Sequence, residues 1–285
     1  MPNMNLMQDF TDIDAVALDQ LRTAEQGEGG VKLPFPVLNI FVMNGDPKQK
    51  AAATACPMLY FGGWAADSTK LGELILAGHV PSDLDKWSAF EGAGDKGSWQ
   101  GRASRTVTAA FISSRSRWLA QDGKAYGAHY DAAKGFRRQH VQWLALLYIS
   151  SKPWGYAVLT AKGFQAKNVA DGIKDWSAAI APHRAALNAQ ALPLSAFAIT
   201  IGTAGPEPVF KAVGQAAQSK ITPIGAVLPA ALSAEAVAQR FITAPNMRLN
   251  NEKLAAAREW LAAWSGQGKA DPTEPTDEVA PNEPF

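Results

Sequence analysis

Apolar and β-branched residues fall into short runs bounded by glycine, proline, asparagine or serine, a pattern that predicts many strands rather than a helical bundle. The run from Val37 to Met43 follows Pro34 and Pro36 and predicts a first strand, and Asn44-Gly45-Asp46-Pro47 then gives a strong turn signal. Met58 to Trp64 predicts a second strand, with Gly62-Gly63 marking a bulge or a close backbone approach. Further strands are expected over Thr106 to Ile112, extended by Ser113 to Trp118, and over Val141 to Ile149 after a lead-in from Gly135 to His140. Pro153 to Tyr156 reads as a turn into a strand from Ala157 to Thr160, and strands also fit 194–202 and around 220–228.

Helical spacing is rarer. Val169, Ile173, Trp176 and Ile180 recur three or four apart and predict a helix over 164–181. Ser233 caps a second helix, with Ala236 where a full capping box would have Glu or Gln. A third runs from about Asn250 to Trp264, with Leu254, Trp260, Leu261 and Trp264 on its apolar face, and Gly266 and Gly268 end it. Residues 71–100 hold short helical or loop patterns. Their glycine-rich stretch, Glu91 to Gly97, lacks the Gly-Lys-Ser/Thr ending of a phosphate-cradling loop and reads as a mobile surface loop. Residues 1–30 are polar and acidic and read as an arm, compatible with a short helix over Asp12 to Leu21. The fold class expected is α+β or mainly β, with the core starting near residue 31.

Composition sharpens this picture. A chain of 285 residues with 47% hydrophobic content can bury a sizeable core. The single cysteine, Cys56, excludes an internal disulfide or a thiolate zinc site, reads as a core residue, and makes the cytosol the expected compartment. No signal-peptide pattern is seen, and no apolar run reaches the ~18 residues of a membrane span, so a soluble protein without a membrane partner is expected. Net charge is +1, but the last fifteen residues carry five acids and no base, which leaves 27 bases against 21 acids in the rest of the chain.

The basic charge is concentrated. Residues 96–174 hold 13 bases and only three acids, Asp122, Asp131 and Asp171, together with 11 aromatic residues. Interleaved bases and aromatics on strands suit single-stranded nucleic acid, which offers phosphates to Lys and Arg and exposed base faces to rings, each stack worth roughly 1–3 kcal/mol. The competing reading puts the aromatics in the core and the bases on a solvated face. The candidate DNA-binding residues are Arg102, Arg105, Arg115, Arg117, Trp118, Lys134, Arg137, Arg138, Trp154 and Tyr156, the sharpest being Arg115, Arg117, Trp118, Arg137, Arg138 and Trp154. His140, beside Arg137 and Arg138, belongs to the same basic surface. Helix-turn-helix and zinc patterns of duplex readers are absent. Catalytic signals are thin: the four histidines form no close metal-ligand pair, the basic region lacks paired carboxylates, and no Gly-x-Ser-x-Gly elbow occurs. No enzyme, cofactor or metal is expected.

The chain ends Asp271-Pro-Thr-Glu-Pro-Thr-Asp-Glu-Val-Ala-Pro-Asn-Glu-Pro-Phe285, an acidic, proline-rich segment expected to be disordered, with one terminal ring. This segment resembles the C-terminal tip of bacterial single-stranded DNA-binding proteins and the acidic, aromatic-ended tail of the phage T7-type family. The resemblance covers about fifteen of the 285 residues. Val279, Ala280, Pro281 and Asn282 stand where the bacterial tip has contiguous aspartates. It implies that Phe285 anchors in a partner's pocket, that Pro284 stiffens the end, and that Glu283, Glu278 and Asp277 steer. It implies further that the tail recruits replication, recombination or repair proteins and competes with DNA for the groove, and that the core is an OB-like antiparallel β-barrel with inserted loops and peripheral helices. The organisation expected is an arm over 1–30, an OB-like nucleic-acid-binding domain with C-terminal helices over 31–265, and an acidic tail over 266–285. The function expected is a non-catalytic single-stranded DNA-binding protein of a bacterial host cell, encoded by a phage or mobile element and compatible with a homo-oligomer. A nucleic-acid-processing enzyme and a phage structural or assembly protein are the alternatives.

Overall fold

A computed structural model describes residues 31–54, 56–78, 87–94, 97–120, 126–149, 152–187, 192–213 and 219–264. The arm over 1–30 and the tail over 266–285 lie outside the described residues. In chain order the elements are β1 (Leu38–Met43), a 3₁₀ turn (Pro47–Thr54), α1 (Pro57–Phe61), β2 (Gly63–Asp67), α2 (Ser68–Leu76), β3 (Ser88–Gly94) and β4 (Gly97–Ser104). Next come β5 (Thr106–Ala120), β6 (Tyr126–Gly127), β7 (Phe136–Ile149), β8 (Lys152–Lys162) and α3 (Gly163–Ala186). After a 3₁₀ turn (Leu194–Ala196) follow β9 (Ile199–Gly202), β10 (Lys211–Val213), β11 (Ser219–Ile221), β12 (Gly225–Ala226), α4 (Ala234–Ala238), α5 (Ala244–Ala256) and α6 (Arg258–Ala262).

The longest strands, β5 and β7, contain neither glycine nor proline and are rich in β-branched and aromatic residues. With β8 they form the central antiparallel meander of one sheet, ordered β12-β9-β5-β7-β8-β1-β2-β4-β3, with β6 on β5. Every neighbouring pair is antiparallel except β1 and β8. The eight strands of four or more residues curl into a half-barrel, so the molecule is a mixed α+β protein with a barrel-like sheet. Register breaks between Phe111 and Ser113, Leu119 and Ala120, and Leu147 and Tyr148 supply local bend and twist.

Both faces of the sheet are covered. On one, Ala109, Phe111, Trp143, Ala145, Ala157 and Leu159 form a core with Val169, Trp176 and Ile180 of α3 and Leu71 and Leu74 of α2. Two of the buried indoles in this layer are hydrogen-bonded: Trp64 Nε1 donates to the Ile201 carbonyl at 3.0 Å and Trp176 Nε1 to the Thr200 carbonyl at 2.7 Å. On the other face, Leu144 and Val158 pack with Ala257 and Trp260, against Leu33, Phe35 and Val37. Among the described residues no helix is long and apolar enough to cross a membrane.

Several predicted elements differ. The expected second strand from Met58 to Trp64 is helix α1 followed by strand β2, because Pro57 opens a helix and the glycine pair reverses the chain. Gly62 has φ 70° and Gly63 φ 155°, and a Cβ on Gly63 would lie 2.4 Å from the Ser104 carbonyl oxygen. The glycine pair is thus a close approach of two backbones. Of the expected mobile loop from Glu91 to Gly97, Glu91 to Gly94 and Gly97 belong to the β3–β4 hairpin, with Gly94 paired to Gly97, and residues 95–96 lie outside the described residues; ladder hydrogen bonds hold glycines that side-chain periodicity passes over. Pro153 to Tyr156 is the start of β8 rather than a turn. The last helix is two, α5 and α6, broken at Ala257 with φ −84° and ψ 4°. The strand expected around 220–228 is split between β11 and β12. Ser233 caps α4, accepting from the Ala236 N–H at 3.2 Å.

Candidate nucleic-acid interface

Strands β5, β7 and β8 carry six bases (Arg115, Arg117, Arg137, Arg138, Lys152 and Lys162) and no Asp or Glu. Where the two bases of β5 point depends on one residue. Up to Phe111, odd-numbered side chains of β5 face α3; the bulge at Ile112 puts Ser113 opposite Leu144, whose side chain lies on the other face. A one-residue slip reverses every side chain beyond it. Arg115 and Arg117 therefore leave the α3 layer and stand on the face crossed by α6.

Two cross-strand rows result. Arg115 is opposite Gln142, which is opposite Thr160; Arg117 is opposite His140, which is opposite Lys162. In the first row Arg115 Nε donates to Gln142 Oε1 at 2.9 Å, and Gln142 Nε2 donates to Thr160 Oγ1 at 3.4 Å. Arg115 Nη1 donates to the Trp260 carbonyl at 2.7 Å, and the guanidinium lies 3.8 Å from the Trp260 ring and 4.2 Å from that of Trp264. Trp264 also covers Arg117 at 4.3 Å and His140 at 4.7 Å. The three arginine–indole separations are cation–π distances, and the His140–Trp264 contact is one between rings.

The second row is electrostatically costly, since like charges on facing strands repel. His140 is 5% exposed. Burial, then Lys162, Arg117 and Arg115, holds its imidazole well below the usual range, so it is neutral at pH 7. Burial, then Arg117 and Arg138, pushes the Lys162 ammonium down to about 8. Burial and Arg117 also push the Arg115 guanidinium down. The group can accept an anion, and it presents indole surface beside the charge.

Of the sequence-predicted residues, the sheet brings together Arg115, Arg117 and Arg138. Trp118 follows Arg117 on the opposite face and packs edge-to-face on Tyr130 at 5.0 Å. Arg102 Nη1 donates to the Trp87 carbonyl at 3.2 Å. Arg105 ties the β4–β5 corner to the 203–205 segment: its Nη2 donates to the Gly205 carbonyl at 2.7 Å and the Thr203 carbonyl at 3.3 Å, with the guanidinium 4.0 Å over Phe61. Lys134 pairs with Asp131 at 3.7 Å in the turn before β7. Trp154 is 6% exposed and packs against Trp87 in the core. Tyr156 lies under α5, where its hydroxyl donates to Asn250 Oδ1 at 3.0 Å. The Arg137 side chain, and Asp277, Glu278, Glu283, Pro284 and Phe285, lie outside the described residues.

Sequence reasoning counted Lys162 among the bases without singling it out, and read Trp260 and Trp264 only as an apolar helix face. Their i, i+4 spacing places two indoles on one side of the chain, a signal available for a stacking wall. Gln142 and Thr160 carried no signal, because only strand register sets them beside Arg115. Cys56 is buried, and burial raises its thiol pKa. Among the described residues no group of three or more His, Cys, Asp or Glu is placed to hold a metal ion.

Compared with known protein families, with curated proteins and with solved structures, the chain finds no match.

Proposed function

We propose that this chain is a non-catalytic single-stranded DNA-binding protein acting in replication, recombination or repair in the cytoplasm of a bacterial host. In this reading the half-barrel is an elaborated OB-like core, and the acidic tail recruits partner proteins through Pro284 and Phe285 and competes with DNA. The single observation that carries the reading is the acid-free group of Arg115, Arg117, Arg138 and Lys162 around His140, walled by Trp264. It combines charge for phosphates with a flat ring for bases, on a scaffold of paired strands. In this reading Arg117, Arg138 and Lys162 contact phosphates, while Arg115 hydrogen-bonds to Gln142 and to the Trp260 carbonyl.

The test is oligo-dT binding by the full chain across a salt series. Three phosphate contacts predict a slope of log K against log salt of about −2, and a loss of roughly tenfold or more between about 50 and 200 mM salt. Absent or salt-insensitive binding overturns the reading. Truncation after Ala270 leaves affinity unchanged or raises it, and a clear loss on truncation refutes tail competition.

A further inference from the structure

The row Arg117–His140–Lys162 makes a demand that a solvated basic surface does not. His140 is 5% exposed, and among the described residues neither ring nitrogen has a hydrogen-bond partner. A buried neutral imidazole ordinarily satisfies one nitrogen as donor and the other as acceptor. The groups facing it are Arg115 and Arg117 from β5, Lys162 from β8, and the Trp264 ring just beyond α6. Arg138 lies further along β7, and Arg258 and Glu259 of α6 are exposed. Positive charge and a buried donor thus converge on strands that contain no carboxylate.

We propose that Arg117, His140 and Lys162 form the seat of a single phosphate group, with Arg115 as the fixed cation behind it and the Trp264 ring as its wall. The inference rests on the nucleic-acid reading for the source of that phosphate, a strand's backbone; free phosphate offers the same oxygens. His140 donates one ring N–H to a phosphate oxygen while Arg117 and Lys162 supply the charge. Because the Lys162 ammonium is held near 8, the empty seat loses charge in mildly alkaline solution, and an anion restores it.

The test uses the full chain and inorganic sulfate, a tetrahedral oxyanion whose charge is constant over the range used. The readouts are ring nitrogen resonances of His140, one of four histidines in the chain, and calorimetric affinity. Sulfate shifts the His140 ring saturably, and its affinity falls about tenfold between about pH 7 and pH 9 as Lys162 deprotonates. Lys162→Gln weakens binding about tenfold at pH 7 and removes that pH dependence. A His140 ring unmoved at saturating sulfate, or Lys162→Gln binding as the unaltered chain does, overturns the seat; the first result needs no variant to fold. Oligo-dT without a terminal phosphate separates the two readings. If sulfate fills the seat and oligo-dT fails to displace it, the seat stands and the nucleic-acid reading falls. If sulfate leaves the His140 ring unmoved while oligo-dT binds in the salt series, the seat falls and the nucleic-acid reading stands. Displacement of sulfate by inorganic phosphate but not by oligo-dT assigns the seat to free phosphate.

Discussion

Lys162→Met should make the protein more stable at neutral pH and should flatten its alkaline stability profile. The fold pushes the Lys162 ammonium from 10.5 to about 8, through burial first and then through Arg117 and Arg138. At 1.36 kcal/mol per unit this gap is worth at most about 3 kcal/mol against the charged form in the folded state. Lys162 is partly exposed, and salt screens its repulsion, so about 1–2 kcal/mol is the working figure. Because the folded-state value lies below the unfolded one, the cost is fully present below pH 8. Between about 8 and 10.5 the unfolded chain holds more protons than the folded one, and stability rises with pH. The Cys56 thiol and the phenols of Tyr148 and Tyr156 are shifted upward by burial and act in the opposite sense as they ionise in the unfolded chain, so the useful window ends near pH 9.5. The effect is therefore read as the difference between parent and variant, which share these groups. Urea unfolding at intervals from about pH 7 to 9.5 reads the effect. The unaltered chain gains stability across the window relative to Lys162→Met, and at pH 7 the Tm of the variant is higher by about 2–4 °C. Parallel profiles for the two chains, or a variant less stable than its parent at pH 7, would refute the electrostatic account.

Trp154→Ala should cost about 3–5 kcal/mol in urea unfolding, because the indole is buried against Trp87; its oligonucleotide affinity, measured where the variant is folded, should match the parent, and a selective loss of affinity would restore Trp154 to the interface. Gly63→Ala should fail to accumulate as folded protein or lose more than about 2 kcal/mol, since a Cβ there meets the Ser104 carbonyl oxygen at 2.4 Å on a φ of 155°. Normal melting of that variant would show that the β2–β4 approach relaxes.

The strands most legible in the sequence were those whose side chains alternate or branch at Cβ: 37–43, 106–118 and 141–149 all lie on observed strands. The helix over 164–181 was legible for the matching reason, a sustained three-to-four spacing that α3 extends to Ala186. Partner choice was not legible. Nothing in Leu38–Met43 announces that β1 runs parallel to β8 across more than a hundred intervening residues. The glycine-rich hairpin escaped because its order comes from backbone hydrogen bonds. The site divides along the same line. Arg115 and Arg117 share a strand face by their i, i+2 spacing, so sequence alone pairs them. His140 and Lys162 join them only through register, and register depends on the bulge at Ile112, which no composition or period marks.

That bulge bears directly on the proposed function. Without the bulge, were Ile112 paired in regular alternation, Arg115 and Arg117 would continue the α3-facing set begun by Ala109 and Phe111, and two guanidiniums would enter an apolar layer. With it they meet His140, Lys162 and two indoles on a partly solvated face. Such a group is not a solubility device, because solubility is served by spaced charges of both signs in water. Nor does it stabilise the fold, since the shifts at Lys162, His140 and Arg115 all record positive charge disfavoured by its surroundings. Residues that cost stability where they stand are best explained by what they bind. The sign of the expected trade-off follows. Neutralising Lys162 raises stability and lowers oxyanion affinity together, whereas a merely structural lysine would move stability alone.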